Sequence, residues 1–526
     1  MADNDPVVET RAGKLRGTTI EGVAAFLSVP YGAPTDGANR FMPPRPPAPW
    51  AGVRDVAAFR TQAPQSRLGF PTRPELVDLG GPPDPLPESE DCLALNVWTP
   101  GVDAAARRPV MVWFHGGAFA FGSSNQVRLR GSRLCRRDVV VVTVNQRLNI
   151  FGHLDLSQVG GAEFAQSGNA GTLDMLAALE WVRDNIAQFG GDPANVTIFG
   201  ESGGGAKVST LLAIPSARGL FHKAIVQSGA AVRLRERDRA ARLTEAVLKE
   251  LTIERTELHR LREVPMARLL AAIEPAQRAV GASPWPLFDR YPFGPTVDGT
   301  LLPHHPFEPE APASSADIPL LIGDMANEMA SFLAHDDAVW HRRLTEAEMV
   351  ARVGAVAGTH TDRVVETYRR LLPDANPAER LIATLTDSNF RLRSLTVAER
   401  KATGTGAPLW MYSFAWRTPV FGGRLGAFHA LDVPFTFDTI DLTKATDGSA
   451  TARGLADLMA STWAHFAHTG RPAHARLPDW PVYTADRRAT MVLDAACRVE
   501  DDPGRETRLL WREIARPGVR WAQSRA

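Results

Sequence analysis

Gly200-Glu201-Ser202-Gly203-Gly204 sets a serine in a G-x-S-x-G spacing directly after the apolar run 196–199 (VTIF). A serine on a tight strand-to-helix turn needs neighbours without bulky side chains, and the flanking glycines leave that room. Such a turn lifts the hydroxyl above a sheet edge and places it at a helix N-terminus, where backbone N–H groups face developing negative charge. The chemistry this allows is nucleophilic attack on an acyl carbon. A second feature fits it. His115-Gly116-Gly117-Ala118 follows the apolar run 109–114 (PVMVWF). Small residues there let main-chain N–H groups come close to a substrate carbonyl oxygen, as an oxyanion hole requires.

A serine hydroxyl needs a base, and the base needs an orienting carboxylate, in the chain order serine, acid, histidine. The sequence holds 13 histidines, and composition does not choose among them. A base belongs on a loop near the sheet edge that carries the serine. His465 and His468 fall in a helical pattern, His341 sits in a charged stretch, and His304-His305 occupies a Pro-flanked loop that points only weakly to a metal. His429, in the loop 422–430, is the best placed.

The elements that must position these groups read as strands and helices in alternation. Continuous apolar runs at 109–114, 139–144 (VVVVTV), 196–199, 224–227 (AIVQ) and 319–322 (PLLI) predict strands buried on both faces. Between the second and third, 171–189 carries apolar residues at helical spacing. This predicts an α/β fold with a mostly parallel sheet. The stretches 233–279 and 344–372 read as helical insertions over one end of the sheet, within a single domain covering 1–526. The Pro-rich stretches 43–49 and 80–87 read as rigid surface connections.

Composition narrows the partners. With 59 basic and 59 acidic side chains, the chain lacks the positive excess that nucleic acid or an anionic membrane surface selects. Only six of the basic residues are lysines (Lys14, Lys207, Lys223, Lys249, Lys401 and Lys444), a bias expected of a GC-rich bacterial genome. Cys92, Cys135 and Cys497 are too few and too scattered for a disulfide framework or a Cys-rich zinc site. The polar N-terminal residues show no secretory h-region, and no apolar run approaches the ~20 residues of a membrane span, so the expectation is a cytoplasmic protein. Oligomeric state is not written in these motifs.

At the level of whole motifs the chain resembles the type B carboxylesterase/lipase family, which includes cholinesterases and bacterial para-nitrobenzyl esterases. Residues 189–204 (FGGDPANVTIFGESGG) look like that family's active-site signature, and 90–97 (EDCLALNV) resembles its second signature. Echoes at 29–32, 40–41, 145–148, 293–299 and 463–483 keep the family's order. The resemblance implies an α/β-hydrolase fold and a serine carboxylesterase acting on a small-molecule ester, with no metal or organic cofactor. It implies Ser202 as nucleophile, Glu328 as triad acid and His429 as base. It also implies Gly117, Ala118 and Gly203 as oxyanion donors, and Glu201 as a supporting glutamate beside the nucleophile. Asp324 stands nearby as the substitute acid.

The departures from the family pattern bear on substrate more than on mechanism. Gly203 stands where alanine is usual, and the resulting Gly203-Gly204-Gly205 is expected to loosen the turn. Gln146, Asn149 and His153 replace residues commonly tyrosine, glycine and phenylalanine; Met329 replaces a usual glycine, Asp432 a frequent glutamate and Ala94 an aromatic residue or threonine, and together these predict an unusual acyl or alcohol pocket. Secreted relatives pair the cysteine at position 92 with one upstream; here 61–65 (TQAPQ) has none, so Cys92 is expected to be a buried apolar residue, as is Cys135. Phe119, Phe121, Trp285, Phe288 and Phe332 are candidates for core or pocket alike. Two other readings stay open on the same scaffold: a transacylase, amidase or carbamate hydrolase, and a non-catalytic binding protein.

Overall fold

The computed structural model describes residues 5–66, 72–82, 86–281, 291–404 and 406–514. Its strands in chain order are β1 (Val7–Thr10), β2 (Gly13–Arg16), β3 (Thr18–Ile20), β4 (Val23–Pro30), β5 (Val53–Asp55), β6 (Ala94–Thr99) and β7 (Arg108–Phe114). There follow β8 (Val140–Val144), β9 (Gly191–Glu201), β10 (Lys223–Gln227), β11 (Leu320–Met325), β12 (Leu409–Phe414), β13 (Ala489–Leu493) and β14 (Arg498–Asp501). Eleven of these form one sheet in the order β14-β13-β12-β11-β10-β9-β7-β8-β6-β4-β3; β1, β2 and β5 form a small separate sheet. From β8 through to β13 every pairing is parallel, and antiparallel strands close both edges. The five predicted runs are β7 to β11, and the mostly parallel sheet stands as expected.

Alternation along the strands explains why these runs read as continuously apolar. In β7, Val110, Val112 and Phe114 face one buried cluster while Met111 and Trp113 face another. In β8, Val140, Val142 and Val144 belong to the first and Val141 to the second. Successive side chains point to opposite faces, and helices cover both, so neither face tolerates polarity. The predicted helix at 171–189 is the helix Ala170–Asn185, continued by a 3-10 turn Ile186–Phe189.

The segment 233–279 forms helices Arg237–Leu251 and Met266–Val280 with a 3-10 stretch Arg255–Arg262 between them. They enclose a third cluster of buried residues, where Leu243, Val247, Leu269 and Ile273 meet Ile150, Phe151 and Leu154. The segment 344–372 forms helices Glu346–Ala357 and Thr361–Leu371, and helices Pro377–Thr386 and Leu392–Ala402 extend that layer with a single π-helical turn, Asp387–Arg391, between them. Trp285 and Phe288 lie outside the described residues. Cys92 and Cys135 are buried free thiols, as expected. Among the described residues, no helix is long and apolar enough to cross a membrane.

Parallel strands end on one edge, and the structure brings the ends of β7, β9 and the helix Gly203–Leu212 to very close range there. A Cβ on Gly204 would fall 2.0 Å from Phe114 O, and one on Gly200 would fall 2.6 Å from the same oxygen. A Cβ on Gly205 would meet Gln227 O and Gly229 Cα at 2.9 Å. The glycine run therefore does not loosen the turn. It lets the helix sit directly against three neighbouring backbone segments. Gly204→Ala is expected to lower stability by about 2–3 kcal/mol, the upper range for overpacking against unyielding backbone, as a depressed midpoint in urea unfolding.

Candidate active site

Ser202 stands where β9 ends and the helix Gly203–Leu212 begins, with φ 56° and ψ −123°. A non-glycine residue in that region is strained, and strain of this kind persists only where the surroundings hold it. Here Ser202 N donates to Gln227 O at 2.9 Å and Ser202 O accepts from Ala206 N at 3.0 Å. The turn is fixed from both sides.

Glu328 follows β11, and His429 lies in the loop after β12. The His429 ring donates from Nδ1 to Glu328 Oε2 at 2.6 Å, and Glu328 Oε1 accepts from Met325 N at 2.9 Å. Both carboxylate oxygens are thus committed, and Glu328 is fully buried. Burial drives its pKa well above the usual carboxyl range, and the Met325 N–H pulls it back. Burial likewise lowers His429, against the pull of the Glu201 carboxylate. Asp324 does not compete for the imidazole: its Oδ1 accepts from Arg391 at 3.2 Å. Phe332 and Phe390 pack on the His429 ring, with centroids at 4.8 Å and 5.0 Å. They leave it little freedom to rotate away from Glu328.

With Nδ1 carrying the proton, Nε2 presents a lone pair toward the elbow. Its nearest carboxylate is Glu201, Oε1 at 3.2 Å. Burial raises Glu201 to about 7, against the pull of His429 and Arg128. Among the described residues the Ser202 hydroxyl makes no hydrogen bond to His429. Hydrogen bonds of this kind are often long before substrate binds.

The loop 115–119 completes the edge. Ala118 and Phe119 both adopt positive φ, 52° and 61°. Among the described residues, the N–H groups of Gly117, Ala118 and Gly203 donate to no other protein atom. A Cβ at position 203 would fall 2.4 Å from Ala118 N, so the loop rests directly against the elbow. This close approach accounts for glycine at 203. Gln146, Asn149 and His153 all support this loop from beneath. Gln146 Nε2 lies 2.9 Å from His115 Nε2, Asn149 Nδ2 donates to Ala120 O at 3.1 Å, and the His153 ring packs edge-on against Phe119 at 5.5 Å. Beside His429 lies a cavity of about 150 Å³ walled by Leu76, Leu79, Arg128, Phe428, Ala430 and Leu431.

The chain is similar to known proteins along nearly its whole length. Residues 4–510 match the model of the carboxylesterase family. The chain belongs to that family. The enzyme is 37% identical to the para-nitrobenzyl esterase of Bacillus subtilis, over 95% of this chain and 97% of that one. It is 32% identical to the phenmedipham hydrolase of Pseudarthrobacter oxydans, over 97% and 98%. Among solved structures, a carboxylesterase of Geobacillus stearothermophilus superposes with a TM-score of 0.82 at 37% identity, over 96% of this chain and 99% of that one. The enzyme is a carboxylic ester hydrolase with the α/β-hydrolase fold.

Phe390 and the partners of Asp432 escaped sequence reading. Phe390 sits in the π-helical turn, a local geometry that sequence pattern does not announce but that recurs at functional sites. Asp432, three residues after His429, is buried and accepts from Gln227 Nε2 at 2.8 Å and Tyr412 Oη at 3.2 Å; burial raises it to about 6. Of the apolar candidates, Phe332 touches His429, and Phe121 packs against Tyr291 at 5.5 Å. His305 pairs instead with Glu236 at 3.1 Å, far along the chain from the elbow elements.

Because Glu328 and not Asp324 meets the imidazole, the two acids are expected to separate on mutation. Glu328→Gln should lower kcat by about 10³–10⁴-fold, since it no longer fixes the tautomer. Asp324→Asn should leave kcat within about threefold; steady-state kinetics on p-nitrophenyl butyrate reads both.

Proposed function

We propose that the enzyme hydrolyses carboxylic esters by two-step acyl transfer through Ser202. The observation that carries this reading is the 2.6 Å bond from His429 Nδ1 to Glu328, which turns Nε2 and its lone pair toward the strained serine turn. His429 Nε2 takes the Ser202 proton as Oγ attacks the ester carbonyl carbon, and Glu328 stabilises the imidazolium. The carbonyl oxygen becomes an oxyanion held by the N–H groups of Gly117, Ala118 and Gly203. Losing one such donor typically costs ~3 kcal/mol of barrier. The imidazolium returns its proton to the leaving alcohol, and water then attacks the acyl-Ser202 by the reverse sequence.

Glu201 takes a supporting part in this scheme. Its carboxyl group, 3.2 Å from His429 Nε2, holds the ring in place before substrate arrives, and Ser202 takes over that contact once substrate is bound. The oxyanion loop carries nothing larger than the Ala118 methyl at the elbow, which favours esters of bulky or tertiary alcohols.

Two experiments test this. Wild type mixed with excess p-nitrophenyl acetate should give a protein adduct at Ser202 of one acetyl group in quenched intact-mass spectra. Ser202→Ala should give none and should lose activity by at least about 10⁴-fold; an adduct on another residue would remove Ser202 as nucleophile. Separately, the wild type should release tert-butanol from tert-butyl acetate. Turnover of linear acetates with none of the tertiary ester would refute the bulky-alcohol preference.

A further inference from the structure

Lys207 has no place in the mechanism above, yet it is completely buried next to it. It is one of six lysines in a chain that otherwise uses arginine. It lies on the helix Gly203–Leu212, four residues after Gly203, so both residues share one helix face. Gly203 on that face abuts Ala118. Lys207 reaches the two ends of the same loop: Nζ donates to His115 O at 2.7 Å and lies 5.5 Å from the centre of the Phe119 ring. The ammonium therefore touches the residue immediately before and the residue immediately after Gly116-Gly117-Ala118.

Among the described residues no carboxylate lies within ion-pair distance of Lys207. Its titratable neighbours, His115 and His153, are buried imidazoles whose pKa values burial lowers, His115 well below the usual range and His153 to about 3. They bring no compensating negative charge. Burying an unpaired ammonium is costly, and a methionine of similar length would fill the space without that cost. Burial accordingly lowers Lys207 to about 7. Such an arrangement is expected where the charge serves an anion that forms transiently.

We propose that Lys207 is a positioning residue of the oxyanion hole. Its hydrogen bond to the His115 carbonyl and its contact with the Phe119 ring hold the strained loop in register with Gly203. Its charge, unpaired in the resting enzyme, favours the negative oxygen that develops at Gly117, Ala118 and Gly203. An arginine would not serve: the compact ammonium fits between one carbonyl and one ring face, whereas a planar guanidinium needs several acceptors. The inference rests on the acyl-transfer reading and extends it.

The test compares wild type with Lys207→Met and Lys207→Gln on p-nitrophenyl butyrate, with thermal unfolding alongside. The expected result is a fall in kcat of about 10–100-fold with KM within about twofold, since the loop acts on the transition state and not on ground-state binding. A trifluoromethyl ketone, which becomes a tetrahedral oxyanion on the serine, should lose affinity by the same factor. Lys207→Gln, which keeps a donor but no charge, should fall between wild type and Lys207→Met. Unchanged kcat in a folded Lys207→Met enzyme would overturn the inference. So would a loss of kcat with ketone affinity unchanged, because the defect would then be general. If Lys207→Met does not fold, the same comparison on Lys207→Gln decides. Labelling of wild-type Ser202 by a fluorophosphonate separates this outcome from failure of the serine reading itself: without that label the reading falls, and with it only the role of Lys207 is in question.

Discussion

The close approach of the helix Gly203–Leu212 to the ends of β7 and β9 is the constraint on which the site depends. At Gly204 the helix has no room for even a methyl group before Phe114 O. The approach brings Ser202 to the sheet edge in a strained conformation and seats Gly203 against Ala118. It also delivers Lys207 to the underside of the same loop. A sheet buried on both faces gives this turn a rigid base, and rigid elements hold catalytic geometry better than loops do.

The electrostatics of the site follow from the same burial. Glu201, Glu328 and Asp432 are carboxyl groups removed from water, and burial raises all three. Glu328 is held by His429 and Met325 N, Asp432 accepts through Oδ2 from Gln227 and Tyr412, and Glu201 Oε1 lies 3.2 Å from His429 Nε2. Fixed partners of this kind stabilise an imidazolium without the reorganisation that water would need. The aromatic rings of Phe332 and Phe390 complete the enclosure of the imidazole.

Four of the departures from the family pattern form one physical group. Gln146, Asn149, His153 and Gly203 differ at positions scattered through the chain, yet all meet around the loop 115–119. They read in sequence as signs of an altered pocket. In the structure they support and press upon the loop 115–119, together with Lys207.

The sequence by itself determined the strands β7 to β11 and the helix that follows β8, because two-sided burial leaves a continuous apolar signature. It marked the serine turn and the loop 115–119, because glycines clustered after apolar runs signal close backbone contacts. It narrowed the base to His429 by loop placement, and family resemblance supplied Glu328. Tertiary structure alone separates Glu328 from Asp324: Asp324 lies within β11 and accepts from Arg391, whereas Glu328, just beyond the strand, meets His429. It alone brought Phe390 and Lys207 to the site, as each lies on an element whose own pattern speaks of burial and not of neighbours. Local pattern encodes which face of an element is buried; what that face meets is decided when elements distant in the chain pack together.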